Sequence, residues 1–487
     1  MDSKSSTISC YNDLKIKSAV KAVVLKGSGM KSFRGWAAAF AVASVGVAVG
    51  LGPVASKADT LGDALVSAYR NSQLLDQNRA LLRAADERVA QGVASLRPVL
   101  RYVASANAQS PKTTNKSIVI TQSLTAQWLV YDFGATAYRT EGLKETVLAT
   151  REALKNIEQN VLLNAVSAYM NLRRAIETAS LSSNNVTLIT RELRAANDRF
   201  EVGEITRTDV ALAQSRLAAA RSALVEAQGQ VADAREFYRF AVGRLPGTLA
   251  PPPAAPKTAN SLDAAVAVGL RTHPSVRQAQ HQVTASELSV AEAEANRKPK
   301  VNLSGSLSRN NTNDDLRKSL GVEVATTLYQ GGAQSSLYRA AFANAEAARA
   351  DLRQTTRTVR NDIAVAWTAV QVARASIEAS DQRIRAAQVA YRGIREEAAL
   401  GARTTLDVLD AEQELLDART SLVTAQSQRY VAIYELLSAM GLLTVDHLRL
   451  GVKTYDPAAY YNAVKTAPLQ TGRGDRLDKV LRALGQK

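Results

Sequence analysis

Residues 117–131 read Ser117-Ile118-Val119-Ile120-Thr121-Gln122-Ser123-Leu124-Thr125-Ala126-Gln127-Trp128-Leu129-Val130-Tyr131. In an extended chain, successive side chains point to opposite faces. Ile118, Ile120, Leu124, Ala126, Trp128 and Val130 then share one face, and Thr121, Ser123, Thr125 and Gln127 the other. Val301, Leu303 and Leu307 alternate with Asn302, Ser304, Ser306 and Ser308 in the same way. Leu320, Val322, Val324 and Leu328 repeat the pattern, and Leu100, Tyr102, Ala104 and Ala106 carry it weakly. Runs of about ten residues with apolar-out, polar-in alternation suit outer-membrane strands, although a small soluble sheet with one wet face alternates too. Four strands do not close a barrel, and an open edge finds no hydrogen-bond partner in hydrocarbon. Strands that enter a membrane must therefore be pooled: two chains supply eight, three supply twelve, and the strands alone do not choose. Trp128, Tyr131, Phe133 and Tyr329 lie at the ends that lead into helices, where an interfacial aromatic girdle belongs. The polar loops Ser110–Lys116 and Asn310–Lys318 are expected to face outside.

The same layout occurs twice. With an offset of 198, Gly203 aligns with Gly401, Thr206 with Thr404, Asp209 with Asp407, Val210 with Val408, Leu217 with Leu415, and Gly243 with Gly441. Gly134 meets Gly332 at that offset, and upstream an offset of 201 pairs Leu61 with Leu262 and Pro98 with Pro299. The chain therefore reads as an internal duplication, with a first repeat over 59–245 and a second over 261–443. The Pro-rich linker 246–260 between them cannot be regular helix. The first repeat predicts a helix from about 61 to 96, a β-hairpin over 99–133, a long helix over 135–202 and a helix over 209–243. The second predicts a helix, a β-hairpin over 300–331, a long helix over 335–400 and a helix over 407–441.

Leu143, Val147, Leu154, Val161, Ala165, Ala168, Leu172 and Ile176 recur by three, four or seven, which is a helical period. A rod of about 67 residues spans roughly 100 Å at 1.5 Å per residue, and two helices of about 35 stacked end to end match it. Val210, Leu217, Leu224 and Val231 are seven apart, as are Val408, Leu415 and Leu422, which implies coiled-coil packing.

Residues 1–58 have the form of an export signal. Lys31 and Arg34 precede an apolar run from Trp36 to Leu51, and Ser56-Lys57-Ala58 puts small residues where a signal peptidase reads, with the cut after Ala58. The run is short for a membrane span and ends at Gly52-Pro53. Met30 is a second candidate start. Without this segment 53 basic and 43 acidic residues remain, a net charge of +10 against +16 for the whole chain. That basic balance would suit nucleic acid, but export argues against such a partner. Cys10, the lone cysteine, lies in the signal, so the mature chain carries no disulfide. Beyond about residue 452 a basic, weakly patterned tail, part of the segment 444–487, has a composition suited to partial disorder.

The duplicated layout, the turns Trp128-Leu129-Val130-Tyr131-Asp132-Phe133-Gly134 and Leu328-Tyr329-Gln330-Gly331-Gly332, and above all Leu400-Gly401-Ala402-Arg403-Thr404-Thr405-Leu406-Asp407-Val408-Leu409-Asp410 resemble the TolC outer-membrane factor family. The resemblance covers nearly all of the mature chain, to about residue 445. It implies an α+β membrane fold: a trimeric 12-stranded outer-membrane β-barrel, four strands per chain, continued by a periplasmic α-helical coiled-coil barrel. It also implies a homotrimer in outer-membrane lipid that docks through a periplasmic adaptor (membrane fusion) protein onto an inner-membrane RND or ABC transporter. The function it implies is an export channel for drug efflux, type I protein secretion, or both.

The resemblance places the helix turns at the periplasmic entrance. Asp407 and Asp410 match paired aspartates that line the closed entrance, so three chains would present six carboxylates in a ring. Two such charges about 8 Å apart repel by roughly 2 kcal/mol at an effective dielectric near 20, enough to favour cations in a narrow pore. For Asp407 alone, helix capping is the competing local role, which its twin Asp209 shares. Arg403 matches the family arginine that ties the second coiled coil to the first, with Thr208 and Asp209 as its partners. Where the family gate has a tyrosine five residues before that arginine, this chain has Ala398. The tips Val202, Gly203, Thr206 and Leu400, Gly401, Thr404 match the adaptor-contacting ends.

Nothing in the sequence reads as catalysis. Asp132-Phe133-Gly134 spells a kinase triplet without its companion motifs. His273, His281 and His447 lack metal-ligand spacing, and no glycine-rich phosphate loop occurs. No enzyme activity, cofactor or metal is expected. The competing classes are a soluble periplasmic coiled-coil scaffold, which would need no detergent, and a decorated periplasmic hydrolase, which would need a catalytic cluster.

Overall fold

The computed structural model describes residues 58–109, 117–311, 315–468 and 479. Nearly all of the proposed export signal, the loop Ser110–Lys116, the middle of the second loop and most of the chain beyond 468 lie outside the described residues.

Four strands, β1 (Val99–Gln109), β2 (Ser117–Tyr131), β3 (Lys300–Asn310) and β4 (Arg317–Ala325), form one antiparallel sheet in that order. The register gathers the apolar positions on one face. Tyr102 opposes Leu124 and Leu124 opposes Leu307, while Trp128 opposes Leu303 and Leu303 opposes Val322. A one-residue slip would send each of these side chains to the other face. The hairpin over 300–331 is shorter than its pattern: β4 ends at Ala325, and Leu328 and Tyr329 sit exposed in the turn that follows. Gly331 and Gly332, both at positive φ, take the chain out of extended geometry there and lead into the next helix. Among the described residues, β1 and β4 each keep one unpaired edge.

Nine helices occur among the described residues: α1 (Leu61–Asn71), α2 (Gln73–Ala94), α3 (Ala135–Glu201), α4 (Arg207–Val242), α5 (Leu262–Thr272), α6 (Pro274–Ala295), α7 (Ala333–Ala399), α8 (Thr405–Ala439) and α9 (Pro457–Val464). The long helices α3 and α7 have 67 residues each. The helix expected over 61–96 is two helices. Ser72 leaves helical geometry and its hydroxyl accepts from the Leu75 amide at 3.3 Å, which starts α2 afresh. In the second repeat His273 is extended and Pro274 opens α6 at its first turn. Each joint is where a partner helix ends. A Cβ on Gly243 would lie 2.6 Å from Asn71 Cβ, and one on Gly441 would lie 2.6 Å from the His273 Cα.

The helices line up in rows that continue the sheet. Nearer the strands the packing order is α2–α3–α6–α7; towards the hairpin ends it is α4–α3–α8–α7. Val210, Leu217, Val408 and Leu415 of the seven-residue repeat are buried, and Ala165, Ala168, Ala213 and Ala418 let neighbouring backbones approach closely. The main core gathers where α1 and the linker cross the rods, around Leu162, Tyr169, Leu172, Tyr238 and Leu437. The linker is pinned there: the Tyr169 hydroxyl donates to the Ala250 carbonyl at 2.6 Å, and Asp59 pairs with Leu249 as an isolated bridge.

Of the weakly patterned tail expected beyond about residue 452, residues 453–468 fold back on α2 and α3. The Tyr460 hydroxyl donates to Glu87 at 2.7 Å, the Arg151 guanidinium lies 5.3 Å over the Tyr461 ring, and Arg97 donates to the Thr466 and Ala467 carbonyls. Aromatic anchors hold this strap, and they follow no period.

Candidate functional site

The two helix hairpins end in turns built by the same local chemistry. Gly203 (φ 80) and Gly401 (φ 78) sit in the left-handed region that glycine enters without steric cost. The amides of Glu204 and Ala402 then reach back to the Arg199 and Glu397 carbonyls, each at 2.9 Å, closing the helix end with a six-to-one bond. Thr206 and Thr404 open the next helices with capping boxes. Each threonine amide donates to the carboxylate of Asp209 or Asp407 at 2.9 Å, and each aspartate amide donates back to the threonine hydroxyl. These bonds from Thr404, with help from Arg403, hold the Asp407 carboxyl below the usual carboxylate range. Val202 (71% exposed) and Leu400 (86% exposed) are apolar knobs at the extreme ends.

The sequence-derived residues are placed near one another but are differently engaged. Asp407 spends one carboxylate oxygen on its cap, and Asp410 is ion-paired with Arg216 of α4 at 2.6 Å. Arg403 donates to Glu397 of its own hairpin at 2.8 Å, while Asp209 is occupied by its cap and Thr208 is exposed. Within this chain Arg216–Asp410 and, at 4.0 Å, Arg395–Glu192 join the two repeats near the hairpin ends, while Arg403 pairs inside its own hairpin. Beside Asp410, Leu409 of α8 joins the buried cluster that Ile189, Ala196, Ala213, Leu217 and Ala220 form in the first repeat. Deeper still, Glu412 is buried facing Glu192 and Arg395. Arg216, Leu409 and Glu412 were not singled out from sequence. The signal was present: where the caps match across the duplication, Ala211, Leu212 and Gln214 of the first repeat stand opposite Leu409, Asp410 and Glu412 of the second.

At the other end of the rods, Trp128, Tyr131, Phe133 and Tyr329 are all solvent-exposed. The Trp128 indole donates to the Leu96 carbonyl at 2.9 Å, and the Tyr131 and Phe133 rings lie 4.8 Å apart. Among the described residues no helix is long and apolar enough to cross a membrane, and no group of three or more His, Cys, Asp or Glu could hold a metal ion.

An amphipathic sheet with an aromatic rim, continued by rods of about 100 Å, defines an outer-membrane channel protein with a periplasmic helical extension. The sequence matches the family model "Outer membrane efflux protein" over residues 64–244 and 269–442, one match per repeat, and the chain belongs to that family. It is 36% identical over 419 residues to the outer membrane efflux protein BepC of Brucella suis, covering 84% of this chain and 91% of that one. It is 24% identical over 368 residues to the outer membrane protein TolC of Escherichia coli, covering 70% and 72%. Among solved structures, CusC superposes with a TM-score of 0.72 at 18% identity, over 79% of this chain and 92% of CusC.

Proposed function

We propose that three copies of this chain close a twelve-stranded barrel and a tunnel of helical rows, and that this duct conducts substrates from an inner-membrane transporter to the exterior. The observation that carries it is the pair of unpaired edges, β1 and β4, on a four-stranded sheet whose apolar face is open. Strand edges are not left unsatisfied in lipid. The helices have matching edges. Leu212, Val225, Phe237 and Phe240 are exposed on α4, as are Leu337, Phe342, Val365, Val372 and Val389 on α7, at opposite ends of the packing order. Mass measurement of the detergent-purified mature chain should give three copies, and planar bilayers should show discrete conductance. A monomer soluble without detergent would overturn the reading.

The hairpin ends form the periplasmic entrance, with Val202, Gly203, Thr206, Leu400, Gly401 and Thr404 meeting the helices of a periplasmic adaptor that links the duct to an RND or ABC transporter. The exposed apolar knobs Val202 and Leu400 support this contact. Crosslinkers placed at both positions should capture one adaptor in cells. Asp407 and Asp410 line the entrance and favour cations. Asparagine at both positions keeps side-chain shape and should move reversal potentials towards zero; unchanged selectivity would remove the ring. Arg403, with Thr208 and Asp209 of the adjacent coiled coil, restrains opening. Arg403→Ser should raise conductance, and wild-type conductance would remove that role.

A further inference from the structure

Glu412 lies on α8 about two turns in from the hairpin end, and it is 4% exposed with both carboxylate oxygens lacking any hydrogen-bond partner. An ionised carboxylate without partners is costly to bury, and such a group takes up a proton instead. Every element packed around it brings charge. Glu192 faces it from α3, and Tyr391 and Arg395 face it from α7. Arg419, two turns along α8, is felt by Tyr391. Arg216 of α4 is taken by Asp410, so it does not neutralise the pocket. Arg395 stands 4.0 Å from Glu192 and is itself mostly exposed, a weak counter-charge for two carboxylates. The equivalent position in the first repeat, Gln214, is exposed and cannot ionise.

We propose that Glu412 is a proton-sensitive latch: its neutral carboxyl lets the first turns of α8 pack against α3 and α7, and its ionisation releases them. Those turns carry Leu409, Asp410 and Asp407, so the contact that joins the two repeats at the hairpin ends is the element that moves. The latch rests on the duct reading given above only for its consequence, which is opening of the entrance.

The direction follows from linkage. In the packed arrangement burial, with Glu192 adding to it and Arg395 opposing, pushes the carboxyl up to about 7 from an ordinary 4.5. With α8 lifted, water reaches the group and it returns towards 4.5. Below 4.5 it is neutral in both arrangements; between 4.5 and 7 lifting releases a proton to bulk water; above 7 it is ionised in both. Rising pH therefore favours the lifted arrangement, by up to about 30-fold per chain between pH 5.5 and 8 if the lifted group titrates normally.

The test uses the full mature protein in two measurements. In planar bilayers the wild type should open more often at pH 8 than at pH 5.5, and E412Q, which keeps the size but cannot ionise, should lose most of that response. E192Q should move the midpoint of the wild-type response to lower pH. Hydrogen exchange of amides 405–416, corrected for intrinsic rates, should show protection falling with pH in the wild type and not in E412Q. Conductance whose pH response is the same in E412Q and wild type sinks the latch and leaves the duct standing. Absent conductance with pH-dependent protection that E412Q abolishes sinks the duct and leaves the latch standing. Protection that ignores pH in the wild type overturns the latch.

Discussion

The first turns of α4 and α8 begin identically and end up in different surroundings. Both start from a positive-φ glycine, a threonine cap and an aspartate three residues on, with the threonine amide 2.9 Å from the carboxylate in each. Yet Leu409 and Glu412 of α8 are buried, while Ala211 and Gln214, their counterparts on α4, are exposed. The difference comes from position in the row. α8 lies between α3 and α7, whereas α4 stands at the end of the row. A duplicated sequence thus makes equal local motifs, and the order of packing makes them unequal. Where the faces diverge, the residues have diverged too: alanine, leucine and glutamine on one side, leucine, aspartate and glutamate on the other.

The largest effect of that asymmetry should come from Leu409→Ala. It empties a buried position in the first-repeat cluster, and denaturation in detergent should show a loss of about 2–5 kcal/mol. A loss no larger than a surface substitution would mean that α8 does not bury this face in solution. The caps should behave alike in the two halves. Thr206→Ala and Thr404→Ala each remove one capping hydroxyl, so each should cost about 1 kcal/mol. Costs that differ by more than the usual scatter would show that one turn is held by something beyond its own box. Breaking Arg216–Asp410 comes next. Both side chains are about half exposed, so a double-mutant cycle should give about 0.2–1 kcal/mol, and it should shrink in high salt. The smallest change is Gln214→Glu, which puts the α8 residue type at the exposed α4 position. Thermal unfolding at pH 8 should not move, in contrast to the effect assigned to Glu412.

Much of this architecture was readable in the order of residues. Alternation at Ile118–Val130 marks the strands, three-four-seven spacing the long helices, and Gly203 and Gly401 the hairpin ends; the helices expected from 209 and 407 start instead at Arg207 and Thr405, because Thr206 and Thr404, not Thr208 or Asp209, are the caps. The joint between α1 and α2 was not seen, because Ser72 sits in a stretch without proline or glycine and looks like ordinary helix. Pro274 marked the matching joint between α5 and α6, and comparison across the duplication would have transferred it. The fold of the chain just beyond residue 452 leaves no period to read, because Tyr455, Tyr460 and Tyr461 act singly, each finding an arginine or glutamate far away in the chain.

Backbone geometry and side-chain period are properties of neighbours in the chain, so they could be settled from the string of residues: two repeats, four amphipathic strands, rods of a given length and the turns between them. A cap is local too, but which of the remaining carboxylates is paired or buried depends on what arrives from a hundred or more residues away. Asp407, Asp410 and Glu412 lie within six positions of one another, yet one caps its helix, one binds Arg216 and one is sealed without a partner. Desolvation and charge pairing act through space, and only the packed helices set the distances on which they depend.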